Sequence, residues 1–272
     1  MATAADLLWE CWQNGRRLQS IPEEVRPQTR DEGYAVQAAL ESRSSGPLFG
    51  WKIAATSVAG QKHINVTGPL AGRLLHERVT DLSHRNGEGA KAVLPFGVNH
   101  MKVAEAEFAF RMGRDLAPRP HPYSVDEILD AVATLHPAIE VPDSRFDDFT
   151  IVGAPQLIAD NACAHLFVLG PPAPDEWREI DLVEHRVIGD VGRPFMGRRE
   201  PSLTREGKGA NVLGDPRVAL AWLVNELSGL GITLKAGEIV TTGTCLVPLP
   251  IEPDVEVTAD FGTLGCVSAR IV

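Results

Sequence analysis

Apolar and polar positions keep a helical rhythm through the first 45 residues and a strand rhythm through most of the remaining chain. Leu7, Leu8, Cys11 and Trp12 recur at helical spacing behind Thr3-x-x-Asp6, a capping box. Thr29-x-x-Glu32 opens a second helix with Tyr34, Val36, Ala38, Ala39 and Leu40, closed by Ser44-Ser45-Gly46-Pro47. Pro22 and Pro27 keep the two helices apart. Residues 48–54 then predict a buried strand with one lysine inside it, and 103–112 a second strand. The stretch 58–64 reads as a helical turn and 83–91 as a polar loop. Ser124-x-x-Glu127 predicts a helix through Ile128, Leu129, Val132 and Leu135 toward Pro137; 155–163 predicts another, leading into a strand at 165–169.

Beyond Pro171-Pro172-Ala173-Pro174, residues 181–188 alternate as a strand. Asp215-Pro216 is a helix start, an N-cap followed by proline at the first helical position, and Gly229 and Gly231 stop that helix. Residues 238–242, 255–261 and 266–272 predict closing strands. There is no internal repeat. Helices come first and strands dominate late, which predicts an α+β fold, with 1–47 a helical N-terminal region and 48–272 the second domain.

Charge and cysteine usage narrow the field by exclusion. Lys+Arg 26 against Asp+Glu 36 leaves a formal charge of −10 with no basic stripe, which argues against a nucleic-acid partner. No uncharged apolar run approaches the roughly 18–20 residues of a bilayer span. Residues 1–6 lack the basic and apolar regions of a signal peptide, so a cytoplasmic protein without a membrane partner is expected. Cys11, Cys163, Cys245 and Cys266 lie far apart with no C-x-x-C pair. They read as small core hydrophobes in a reducing compartment, not as zinc ligands or a redox dithiol.

The chemistry gathers at a few polar groups in apolar surroundings. On a strand, Glu105 and Glu107 share one face while Ala104, Ala106, Phe108 and Phe110 take the other. Two such carboxylates can converge on a hard cation, or simply form a solvated face with Arg111. Glu140 stands alone in Pro137-Ala138-Ile139-Glu140-Val141-Pro142, where it needs a cation, a hydrogen-bond set or a raised pKa; Arg145 is the plain structural partner. Three glutamates around one site would suit Mg²⁺ or Mn²⁺ better than zinc. Lys52 either snorkels or sits among carboxylates. Asp160 and Asn161 place two polar groups in an apolar helix. Thr241-Thr242-Gly243-Thr244 offers hydroxyls and open backbone after a strand, a turn able to hold a carboxylate. No dinucleotide fingerprint, Walker loop or G-x-S-x-G elbow is present, and His76-Glu77 is the one histidine–acid pair of note.

Gly50-Trp51-Lys52-Ile53, Glu105-Ala106-Glu107, Pro137-Ala138-Ile139-Glu140-Val141, Ala159-Asp160-Asn161-Ala162, Leu213-Gly214-Asp215-Pro216 and Thr242-Gly243-Thr244 occur in this order. Together they resemble the 2-keto-4-pentenoate hydratase/oxalocrotonate decarboxylase branch of the fumarylacetoacetate hydrolase superfamily. The resemblance implies a mixed β-roll catalytic domain, fumarylacetoacetase C-terminal-like, with a helical N-terminal portion, in a homo-oligomer. It implies Mg²⁺ or Mn²⁺ on Glu105, Glu107 and Glu140, with Lys52 and Asp160 as catalytic residues and Gly243 and Thr244 at the substrate carboxylate. Ala54 stands where the family often has glycine, and Asp215-Pro216 where it often has His-Pro; both departures bear on the substrate.

The activity so implied is hydration of a 2-hydroxydienoate/2-oxoenoate such as 2-hydroxypenta-2,4-dienoate, in the breakdown of aromatic compounds, through a metal-stabilised enolate. Hydrolysis of an acylpyruvate C–C bond (fumarylpyruvate or maleylpyruvate type) and 4-oxalocrotonate-type decarboxylation share that enolate and stand as alternatives. Hydrolysis would call on a histidine, His76 or His63, to activate water. A non-catalytic oxo-acid-binding protein is a further class, against which Lys52 and Asp160 argue, since binding alone needs no acid/base pair.

Overall fold

The structure, a computed structural model, describes residues 3–85, 91–195, 198–199 and 201–272, so part of the loop expected at 83–91 and the first two residues lie outside the described residues. The helices are α1 (Ala4–Asn14), α2 (Arg30–Glu41), α3 (Val58–His63), α4 (Val125–Leu129), α5 (Ala154–Ala159) and α6 (Pro216–Gly229). The first strands are β1 (Gly50–Ala54), β2 (Leu70–Leu74), β3 (Val79–Asp81), β4 (Lys91–Leu94), β5 (Val103–Met112), β6 (Val132–Val141) and β7 (Leu166–Leu169). Next come β8 (Arg186–Gly192), β9 (Pro194–Phe195), β10 (Arg198–Arg199) and β11 (Leu203–Lys208). The chain closes with β12 (Ile239–Thr244), β13 (Leu249–Pro250), β14 (Glu256–Asp260) and β15 (Cys266–Ile271).

One mixed sheet runs β2-β1-β12-β5-β6-β7-β3, with β13 pairing β5. A second runs β11-β8-β14-β15-β4 and lays β14 and β15 against β6. Between them Phe108 meets Phe261 edge-on, ring centroids 5.0 Å apart, in a core that takes in Phe110, Ile139, Val257 and Val267. This is an α+β mixed β-roll. Both N-terminal capping boxes form, and the apolar faces of α1 and α2 meet Ile21, Phe146 and Ala159 in a smaller core of their own. No helix among the described residues is long and apolar enough to cross a membrane.

Four expectations change. The helix behind Ser124 stops at Leu129, and Val132 and Leu135 belong to β6, because their spacing fits a strand as well as a helix and β5 supplies a full-length antiparallel partner. Pro137 is tolerated there because its carbonyl, and with it the side that lacks an N–H, faces the end of β7, where Gly170 N–H donates to Pro137 O at 2.9 Å. Asp181 Oδ1 accepts from Val183 N–H, a side-chain turn that delays the strand expected at 181–188 until Arg186. The helix expected at 155–163 ends at Ala159, and Asn161, Ala162 and Cys163 adopt left-handed φ of 56°, 49° and 61°. Cys11, Cys163 and Cys245 are buried as expected, whereas Cys266 is exposed, since alternation along β15 turns it outward while Val267 goes in.

Candidate active site

Strand pairing does most of the assembly. Glu105 lies directly across from Glu140 in the β5–β6 ladder, and Glu107 follows on the same face. Like charges facing each other destabilise a sheet, so the pairing calls for a cation. One oxygen from each of Glu105, Glu107 and Glu140 lies within 4.8 Å of the others, and Glu107 and Glu140 are fully buried. Glu107 Oε2 accepts from Gly243 N–H at 2.9 Å and from the Thr241 hydroxyl. Its Oε1 and Glu140 Oε1 receive no hydrogen bond.

Lys52 comes from β1, between Gly72 of β2 and Thr241 of β12. A side chain at Gly72 would meet the lysine stem and Asn161 O, so glycine there opens its path. Lys52 is 3% exposed; its Nζ lies 3.2 Å from Glu140 Oε2 and donates to Ala162 O at 3.1 Å. Burial pulls its pKa down, but Glu140, Glu105 and Glu107 outweigh burial and hold the amine above the usual lysine range. Burial, joined by Glu140, pushes Glu105 up to about 7; burial and both neighbours push Glu107 well above the carboxylate range. Burial raises Glu140 too, against the pull of Lys52. Three carboxylates against one ammonium leave a charge deficit that a divalent cation matches. The hard oxygen donors and the orphaned buried oxygens fit the same ion.

Asp160 is placed elsewhere. It is fully buried, accepts from the Ser144 hydroxyl at 2.8 Å and from Arg145 N–H at 3.0 Å, and forms an ion pair with the Arg145 guanidinium. It does not line the cavity, and Arg145, the plain partner considered for Glu140, is committed to it. The same guanidinium donates to Asp160 O and Ala164 O, fixing both ends of the left-handed turn whose Ala162 carbonyl receives Lys52. Asn161 clips that turn to β2 by exchanging hydrogen bonds with Arg73 N–H and O. Trp12 stacks on the Arg145 guanidinium at 4.4 Å, with Arg78 over the same ring at 5.1 Å.

Lys52, Glu105, Gly243 and Thr244 open onto a cavity of about 980 Å³. Gly243 has φ +88°, and a Cβ there would lie 2.2 Å from Thr56 Oγ1. Thr56, Phe149 and Asn211 also line the cavity, and no sequence signal marked them, because each arrives on a segment between the recognisable motifs. Of the histidines considered, His63 lines the cavity and packs edge-on against Phe149. His76 is exposed outside the lining, and Glu77 accepts from Ser44 and Ser45.

A sequence profile described as fumarylacetoacetate (FAA) hydrolase C-terminal matches residues 79–272. The chain is 32% identical over 253 residues to 2-keto-4-pentenoate hydratase of Paraburkholderia xenovorans (strain LB400), covering 92% of this chain and 87% of that protein. It is 30% identical over 251 residues to 2-hydroxyhexa-2,4-dienoate hydratase of Comamonas testosteroni, covering 91% and 88%. Among solved structures it resembles 4-oxalocrotonate decarboxylase from Pseudomonas putida G7, complexed with magnesium and adipate, with a TM-score of 0.82 at 24% identity over 99% of this chain and 96% of that one. That likeness carries the fold.

Proposed function

The chain belongs to the fumarylacetoacetate hydrolase family, and from that premise we propose that it is a divalent-metal-dependent hydro-lyase that adds water to a 2-hydroxydienoate/2-oxoenoate. The observation that carries the reading is the convergence of three carboxylates, two of them fully buried, beside a charged lysine at the head of an apolar cavity. Glu105, Glu107 and Glu140 would hold Mg²⁺ or Mn²⁺, which supplies Lewis-acid polarisation of a 2-oxo group. Lys52 Nζ, kept protonated by its neighbours, donates to the oxygen end of the substrate and moves the proton that hydration requires. Gly243 N–H holds Glu107 in place, and Thr244 borders the position of the substrate carboxylate. Asp160 acts at one remove, by positioning the turn that receives Lys52.

His76 lies outside the lining, which argues against C–C hydrolysis assisted by that histidine, whereas His63 lies within it. A role in aromatic-compound breakdown, a cytoplasmic location and a homo-oligomer belong to the same proposal; the buried thiols Cys11, Cys163 and Cys245 suit a reducing compartment. Product mass tests the reaction. Incubated with 2-hydroxypenta-2,4-dienoate and Mg²⁺, the protein is expected to give one product heavier by one water. Pyruvate released from an acylpyruvate, or CO₂ from an oxalocrotonate-type acid, in place of that product would overturn the assignment.

A further inference from the structure

Resting on the hydro-lyase reading, we propose that the site selects a 2-oxoenoate with a single carboxylate and a bulky apolar substituent, alkyl or aryl, at its far end, and rejects one that ends in a second carboxylate. Among the described residues Lys52 is the only lysine or arginine lining the cavity, and it is already held between Glu140 and Ala162 O at the head. Three neutral polar groups along the wall are tied to backbone, and His63 packs edge-on against Phe149. Gln61 donates to Ala55 O, Ser57 caps Gly60 N–H and Asn211 donates to Cys245 O. Glu105 is itself part of the lining, and the whole chain carries −10, so a second carboxylate would enter an unfavourable field with no lysine or arginine free to pair with it.

The apolar wall continues from floor to mouth. Ile53, Leu70, Leu157 and Leu246 are buried at the bottom, while Val58 is 83% and Val247 64% exposed at the rim. The volume stands at the upper end of the roughly 300–1,000 Å³ that encloses drug-sized ligands. A short dienoate fills only part of it, and burying a longer apolar tail adds affinity with each methylene.

The test separates binding from turnover. Calorimetry with the full-length protein in Mg²⁺ measures 2-oxopentanoate, 2-oxohexanoate, 2-oxooctanoate and 2-oxohexanedioate, none of which can be hydrated. Rates are measured in parallel on 2-hydroxydienoates bearing a distal hydrogen, methyl or phenyl group. Affinity is expected to rise at least about tenfold from 2-oxopentanoate to 2-oxooctanoate and to fall at least about tenfold from 2-oxohexanoate to 2-oxohexanedioate. Val247→Arg, a change at the exposed rim, should close most of the second gap. A flat series, or a diacid bound as tightly as the monoacid, overturns the proposal even if short dienoates are hydrated. A rising series with no dienoate hydrated supports the tail selectivity and overturns the hydro-lyase reading instead.

Discussion

Lys52 and His136 show burial acting on two bases with opposite outcomes. Around Lys52 three carboxylates outweigh desolvation, so the amine stays charged where apolar surroundings alone would discharge it. Lys52→Met keeps the stem volume and should fold. Turnover should drop by roughly 10²–10⁴, the usual weight of a general acid/base group, and near-normal turnover would show that the lysine is structural. Around His136 the one carboxylate acting that way, Asp81, does not outweigh burial. His136 Nδ1 meets Gly170 O at 2.9 Å and its Nε2 meets the Thr134 hydroxyl, and burial, with Arg111 adding to it, takes its pKa down to about 4 against the Gly170 hydrogen bond. The unfolded chain takes up this proton near the ordinary histidine pKa of about 6.5, and the folded chain only near 4. Stability from this group is therefore complete above pH 6.5 and is lost as pH falls toward 4, on the order of 3 kcal/mol in all. Urea titrations across that window should show the loss, and His136→Gln should flatten it; an unchanged slope would mean that another group titrates.

At the scale of elements, the segment from α5 to β7 is the one that departs most from regular structure. Three consecutive non-glycine residues in the left-handed region hold only because the surroundings over-determine them. Arg145→Met leaves the Asp160 carboxylate buried with its cation removed, which should cost roughly 3–5 kcal/mol in chemical unfolding. A loss below about 1 kcal/mol would mean that Ser144 and the Arg145 N–H suffice. None of this was legible in the sequence, where Asp160 and Asn161 read as one helix: both the ion pair and the clip to β2 join residues distant along the chain. The β5 glutamates were legible because a period of two puts alternate residues on one face whatever the strand pairs with. Lys52 and Glu140 were legible as charges in apolar runs. The first half of the Val132–Val141 strand was hidden by a real capping box that starts a helix of only five residues. β2 was hidden by its shortness and complete burial, which leave no alternation to read.

For the whole molecule, a divalent ion held by Glu105, Glu107 and Glu140 would make stability depend on that ion. An ion that binds the folded chain and not the unfolded one adds about 2.7 kcal/mol at one hundred times its Kd. Mg²⁺ should therefore raise Tm by roughly 5–10 °C and EDTA should reverse the rise, while Glu140→Gln should respond much less. A Tm indifferent to Mg²⁺ and Mn²⁺ would remove the metal from the proposal. The contact of Trp12 with Arg78 and Arg145 has a consequence for how the two parts of the chain can vary. Its aromatic ring comes from α1, yet it rests on the guanidinium that sets the turn under Lys52. An N-terminal segment transplanted from another member of the family would thus have to bring a matching ring. A chimera without one should fold its β-roll and still misplace the amine, so that positions 12 and 145 are expected to vary together.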